Sequence, residues 1–107
     1  MTNVEKISSY GTLTADPETA ALLDALTALQ SRDEVLRFLT DLCTPAELRA
    51  LVARWQVAKL LNAGDLSYRD ISEKTGASTT TVGRVARFLN DESYQGYRIA
   101  LDREQNQ

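Results

Sequence analysis

A succession of helix-start signals, with no strand signal to compete with it, most constrains how this chain folds. Asp16-Pro17 pairs an N-cap residue with proline at the first helical position. Ser31-Arg32-Asp33-Glu34 has capping-box spacing, in which the serine caps the third backbone N–H and the glutamate reaches back. Thr44-Pro45-Ala46-Glu47 combines that box with proline. Ser67 and Ser78 are caps for two further helices. Apolar residues follow at helical spacing: Leu22, Leu26 and Leu29; then Leu36, Leu39 and Leu42 with Val35 and Phe38; then Leu48, Leu51, Val52, Trp55 and Ala58. Gly64 suits the left-handed residue that ends the third helix. Tyr94, Tyr97 and Leu101 suggest a last amphipathic helix after a linker at Asp91 to Ser93. The expectation is an all-α fold of about six helices. A polar arm spans 1–15, and a single helical domain covers 16–104.

Composition supports helix and removes most chemistry. There are 15 Leu and 13 Ala against 6 Val and 3 Ile, a mix that favours helix over strand. The chain has no histidine and one cysteine, Cys43. A disulfide within the chain is therefore impossible, and a zinc site lacks its usual ligands. Histidine-dependent acid/base or nucleophile pairs are excluded as well. The expectation is a binder rather than an enzyme, with no cofactor and no metal. No apolar run reaches the roughly 18 residues of a membrane span. Met1 to Gly11 lacks the apolar core of a signal peptide. A cytoplasmic location is expected.

Residues 67–90 carry the most specific pattern. Tyr68, Ile71, Ser72, Thr75-Gly76-Ala77, Val82 and Val85 fall at helix-turn-helix spacing, with a short helix, a Gly-containing turn and a second helix. At 100° per residue, Val82, Val85, Ala86 and Leu89 share an inward arc. Thr80, Gly83, Arg84 and Arg87 share the outward one. Thr can contact base edges or a thymine methyl, and Arg can bond guanine or phosphate. Gly83 lies inside the helix, where glycine costs about 1 kcal/mol relative to Ala. A missing side chain on the outward face permits close approach to DNA. Ser78, Thr79 and Thr81 crowd the helix N-terminus, where backbone N–H groups favour a phosphate. The net charge of −3 hides a division: residues 66–90 carry +2 and the remainder −5. The same pattern also describes an ordinary helical hairpin. A helical dimeric protein–protein interaction module, without direct DNA binding, is the alternative.

Three stretches resemble the Trp repressor family. They are Leu42-Cys43-Thr44-Pro45-Ala46-Glu47 through Arg54, Leu60-Leu61 through Gly64 to Asp70, and Gly76-Ala77 through Thr81-Val82 to Arg84. The likeness spans 16–104, is densest over 42–90 and needs no gap there. The tail Tyr97-Arg98-Ile99-Ala100-Leu101-Asp102-Arg103, with Arg87-Phe88-Leu89-Asn90, is similar to the related YerC/YecD branch. The resemblance implies an intertwined homodimer that reads double-stranded DNA through two helix-turn-helix heads, as a transcriptional regulator, a repressor. It implies base contacts from Arg69, Thr79, Thr80 and Gly83. Ser78, Thr81 and Arg87 would lie near phosphates. Tyr68 and Arg84 complete the DNA-binding set. Thr44, Arg54 and Arg84 match the effector-binding positions of the family. There the chain departs, because Val85 and Phe88 stand where the Trp repressor has Gly and Ser. Val85 removes room for an indole and Phe88 could fill the space, so tryptophan is not expected as corepressor. Trp55 is expected in core or dimer packing, Tyr94 and Tyr97 as core or dimer anchors, and Cys43 as a buried structural thiol.

Overall fold

The computed structural model describes residues 16–106. The arm expected at 1–15 lies outside the described residues. Among those described there are six α-helices and no strand. They are α1 (Pro17–Ala28), α2 (Arg32–Leu42), α3 (Pro45–Ala63), α4 (Tyr68–Thr75), α5 (Thr79–Asn90) and α6 (Gly96–Gln105). The chain divides into two compact units between Leu42 and Cys43.

The first unit holds α1 and α2. The Asp16 carboxylate accepts the Thr19 N–H at 3.1 Å, and Pro17 opens α1, as the sequence predicts. Ser31 caps α2 by accepting the Glu34 N–H at 3.1 Å. The reciprocal bond differs from the expected box. Glu34 accepts the N–H of Gln30 at 2.8 Å, one residue upstream of the cap. The glutamate still satisfies a backbone donor at the helix entry, so the start signal survives the shift. Neither helix buries a residue. Leu22, Leu23, Leu36 and Leu42 are exposed.

The second unit contains the core. At the start of α3, Thr44 Oγ1 accepts the Glu47 N–H at 3.1 Å and the Glu47 carboxylate accepts the Thr44 N–H at 2.8 Å. This box is complete. Its hydrogen bonds, first from the Thr44 backbone and then from its side chain, hold the Glu47 carboxyl below its ordinary pKa. Gly64 ends α3 at φ 80°, a conformation that glycine adopts without the steric cost of a Cβ. Val57 and Ala58 from α3, Ile71 from α4, Ala77 from the turn, and Val82 and Val85 from α5 form one cluster. Trp55, Leu60, Leu61, Leu66 and Tyr97 pack around it. Trp55 and Tyr97 thus take the core role expected of them. Burying a side chain such as Ile71 fully contributes about 1.5–3 kcal/mol.

Two expectations need correction here. Tyr94 is not part of the last helix, which starts at Gly96 behind Gln95 in the left-handed region at φ 62°. It is 52% exposed in the single chain, so of its two expected roles, core or dimer anchor, the core one does not hold. Cys43 is half-buried rather than buried. It sits just outside the N-cap of a helix that begins with proline, where the packed cluster does not reach. The last helix is tied to α3 by Arg98 Nη1, which donates to Asn62 Oδ1 at 2.8 Å, and by a Lys59–Glu104 ion pair at 3.3 Å.

Candidate nucleic-acid interface

The turn between α4 and α5 is built from short polar side chains. Gly76 takes φ 79° and its N–H donates to the Ser72 carbonyl at 2.9 Å. Ser72 Oγ donates to the Ala77 carbonyl at 2.6 Å across the turn. Thr75 Oγ1 donates to the Ile71 carbonyl at 2.8 Å and accepts the Ala77 N–H at 3.2 Å. Small size at Ser72 is visible in the sequence. Its part in the turn is not, because the carbonyl that it bonds lies beyond its own helix.

α5 divides as its periodicity predicts. Val82, Val85, Ala86 and Leu89 are buried. Thr80, Arg84 and Arg87 are exposed, and Gly83 is half-exposed between them. A Cβ added at Gly83 would meet nothing within 4 Å. The described fold therefore gives no steric reason for glycine at this helix-interior position. At the N-terminus, Ser78 Oγ accepts the Thr81 N–H at 3.1 Å and donates to Thr81 Oγ1, also at 3.1 Å. These two hydroxyls satisfy each other. The N–H groups of Thr79 and Thr80, in the first turn, have no intrahelical acceptor by helix geometry and point out of the helix end.

The three arginines of this surface each lie near an acid or a ring. Arg69 is paired with Glu73 at 3.7 Å, and Arg87 with Glu92 at 3.6 Å. Both pairs are largely exposed, and such pairs contribute little to stability. The Arg84 guanidinium lies 4.4 Å from the Phe88 ring centroid and that of Arg87 lies 5.0 Å from it. Tyr94 stacks on Phe88 with centroids 6.2 Å apart. Glu73, Glu92 and the Phe88–Tyr94 stack are not among the interface features expected from the sequence. The four-residue spacings Arg69–Glu73 and Arg84–Phe88 were available as a signal. The approach of Tyr94 was not, since it depends on the turn at Gln95. Tyr68 is exposed at the first position of α4.

One of the effector candidates lines a described cleft. Arg54 lines an open cleft of about 410 Å³ together with Arg49, Ser78 and Thr81. Neither Thr44 nor Arg84 lines it: Thr44 caps α3, and Arg84 lies over Phe88. Among the described residues no cluster of His, Cys, Asp or Glu could hold a metal ion. No described helix is long and apolar enough to cross a membrane.

A short helix, a glycine-centred turn and a second helix that buries valines while presenting threonines and arginines make this an all-α helix-turn-helix protein. The chain belongs to the Trp repressor family, whose profile, Trp repressor protein, matches residues 18–105. It is 42% identical over 82 residues to the uncharacterized protein YerC of Bacillus subtilis strain 168, covering 77% of each chain. It is 31% identical over 81 residues to the Trp operon repressor homolog of Vibrio atlanticus strain LGP32, covering 76% of this chain and 83% of that one. The crystal structure of a TrpR-like protein from Eubacterium eligens ATCC 27750 superposes with a TM-score of 0.79 at 38% identity. That match covers 86% of this chain and 93% of the other.

Proposed function

We propose that this chain is a sequence-specific DNA-binding transcriptional regulator, a repressor, that reads the major groove as a homodimer through α4 and α5. Gly83 carries the reading. It interrupts a helix of otherwise side-chain-bearing residues at the centre of the exposed Thr80–Arg84–Arg87 face, and a Cβ there would meet nothing within 4 Å. A glycine that the described fold does not need is explained by a surface that approaches from outside, and a DNA groove fits the hydroxyls and guanidiniums around it. Arg69 and the Thr79 and Thr80 region would meet bases. Ser78, Thr81 and Arg87 would lie near the backbone, where charge neutralisation makes affinity fall with salt.

The dimer rests on the exposed leucines. α1 and α2 bury nothing, and Leu22, Leu23, Leu36, Leu42 and Leu51 are exposed. Burial against a second copy would cover a surface of this kind. The departure from tryptophan rests on Val85, which is 1% exposed, and on Phe88, whose ring already faces Arg84. The same leucines would also serve a protein-interaction module, and one experiment separates the readings. Duplexes are selected from a random pool at moderate salt, with and without L-tryptophan. Paired half-sites about 34 Å apart, one helical turn, selected equally in both conditions, support the proposal. Failure to retain any duplex overturns DNA binding. Selection only in the presence of tryptophan overturns the corepressor-free reading.

A further inference from the structure

The two outward arginines of α5 share one ring. Arg84 and Arg87 lie 4.4 and 5.0 Å from the Phe88 centroid, both inside the roughly 6 Å at which a guanidinium is drawn to an aromatic face. Phe88 is only half-buried and stands outside the packed cluster. The inward face of α5 is already sealed by Val82, Val85, Ala86 and Leu89. The ring is held from its other neighbourhood by Tyr94, stacked at 6.2 Å with 17° between the planes. The turn that delivers Tyr94 is itself fastened to Arg87. The N–H groups of Asp91 and Glu92 both donate to the Arg87 carbonyl, at 2.8 and 3.1 Å. The Glu92 carboxylate reaches the Arg87 guanidinium at 3.6 Å. Gln95, left-handed at φ 62°, folds its side chain back to donate to the Glu92 carbonyl at 2.8 Å. A non-glycine residue in that conformation persists where its surroundings over-determine it.

We propose that Phe88, backed by Tyr94, is a positioning platform for the reading helix, holding Arg84 and Arg87 in the poses in which they meet DNA. The inference rests on the DNA-binding reading above. Exposed arginines lose rotamer freedom on binding, and a ring that orients them beforehand reduces that loss. Because both guanidiniums use the same ring, their contributions to DNA binding are coupled through it.

The test compares Phe88→Leu, which keeps the apolar volume and removes the π face, with Phe88→Tyr, which keeps the face. Affinity for the selected duplex should fall about three- to tenfold in Phe88→Leu and stay within about twofold of wild type in Phe88→Tyr. Arg84→Ala should lose less affinity in the Phe88→Leu background than in wild type, a non-additivity that a loss of fold does not produce. Tyr94→Leu, at a half-exposed site, should weaken binding in the same direction by a smaller factor and serves if Phe88→Leu does not fold. In the free protein, the Arg84 Hε resonance should be displaced by the ring current and return toward the ordinary arginine position in Phe88→Leu. Wild-type affinity in both leucine variants, or additive effects of Arg84→Ala and Phe88→Leu, overturns the platform. If wild-type protein binds no duplex, the DNA reading fails and the platform's role fails with it, although the displaced resonance would still report the stack.

Discussion

Two helices carry apolar stripes of the same kind and meet opposite fates. α5 turns Val82, Val85, Ala86 and Leu89 into a buried face. α2 carries Val35, Leu36, Phe38, Leu39 and Leu42 and buries none of them, with Leu36 at 55% and Leu42 at 53% exposure. Periodicity states which side of a helix is apolar. It does not state what covers that side. For α5 the cover is close in the chain, supplied by α3, α4 and the turn. For α2 the described residues leave it open.

The strongest way to break this contrast is to weaken first the cluster that covers α5 and then the uncovered stripe of α2. Ile71→Ala removes side-chain volume from a site of 0% exposure. It should cost about 2–5 kcal/mol, since the surrounding helices only partly close over the cavity. Urea denaturation monitored by circular dichroism measures this, and a midpoint equal to wild type would show that the cluster is not the core. Leu36→Ala should leave that cluster intact and weaken the proposed dimer by about 1.5–3 kcal/mol, the value of one leucine's burial. Sedimentation equilibrium over a range of protein concentrations reads it. Equal association by wild type and variant would mean that a second copy does not cover this stripe.

The same contrast explains how far the sequence could be followed. Five of the six described helices are marked by caps or prolines and the sixth by its stripe alone, because those signals act within a few residues. The inward and outward faces of α5 were marked too, since its core partners follow the same period. Four features were not marked. The Glu34 bond slid to Gln30, a choice that local loop geometry makes. Ser72 bonds the carbonyl of Ala77 across the turn. Tyr94 left the last helix because Gln95 turned left-handed, a conformation uncommon in a non-glycine residue. Cys43 stayed half-exposed although its residue type is usually buried. Each depends on local backbone geometry or on where neighbouring chain comes to lie, which composition and spacing do not specify.

Gly83 turns the comparison from inward to outward faces. Gly83→Ala adds a methyl into open space within a regular helix. It should raise stability by up to about 1 kcal/mol through helix propensity alone. If the outward face reads DNA, the same methyl should lower affinity for the selected duplex. A thermal melt and a binding titration on one sample test both signs. A variant that is both more stable and an equal binder would remove Gly83 from the interface.

The smallest effect separates the two capping boxes. In the box at Thr44 the Glu47 carboxylate accepts the N–H of the cap itself, and these bonds lower its pKa from the ordinary 4.5. A carboxyl whose folded pKa is depressed binds its proton more readily in the unfolded chain. Its contribution is therefore fully present above about pH 4.5 and is lost as pH falls through the lower folded value. Glu47→Gln keeps an acceptor for the Thr44 N–H and removes the titration. The variant should melt close to wild type in strong acid, where wild-type Glu47 is protonated, and below wild type at neutral pH, where the charged acceptor and the helix dipole both favour the carboxylate. Melting curves taken from pH 7 down to about pH 3 measure the difference between the two proteins. A constant difference across that range would mean that the Thr44 box does not titrate with the start of α3.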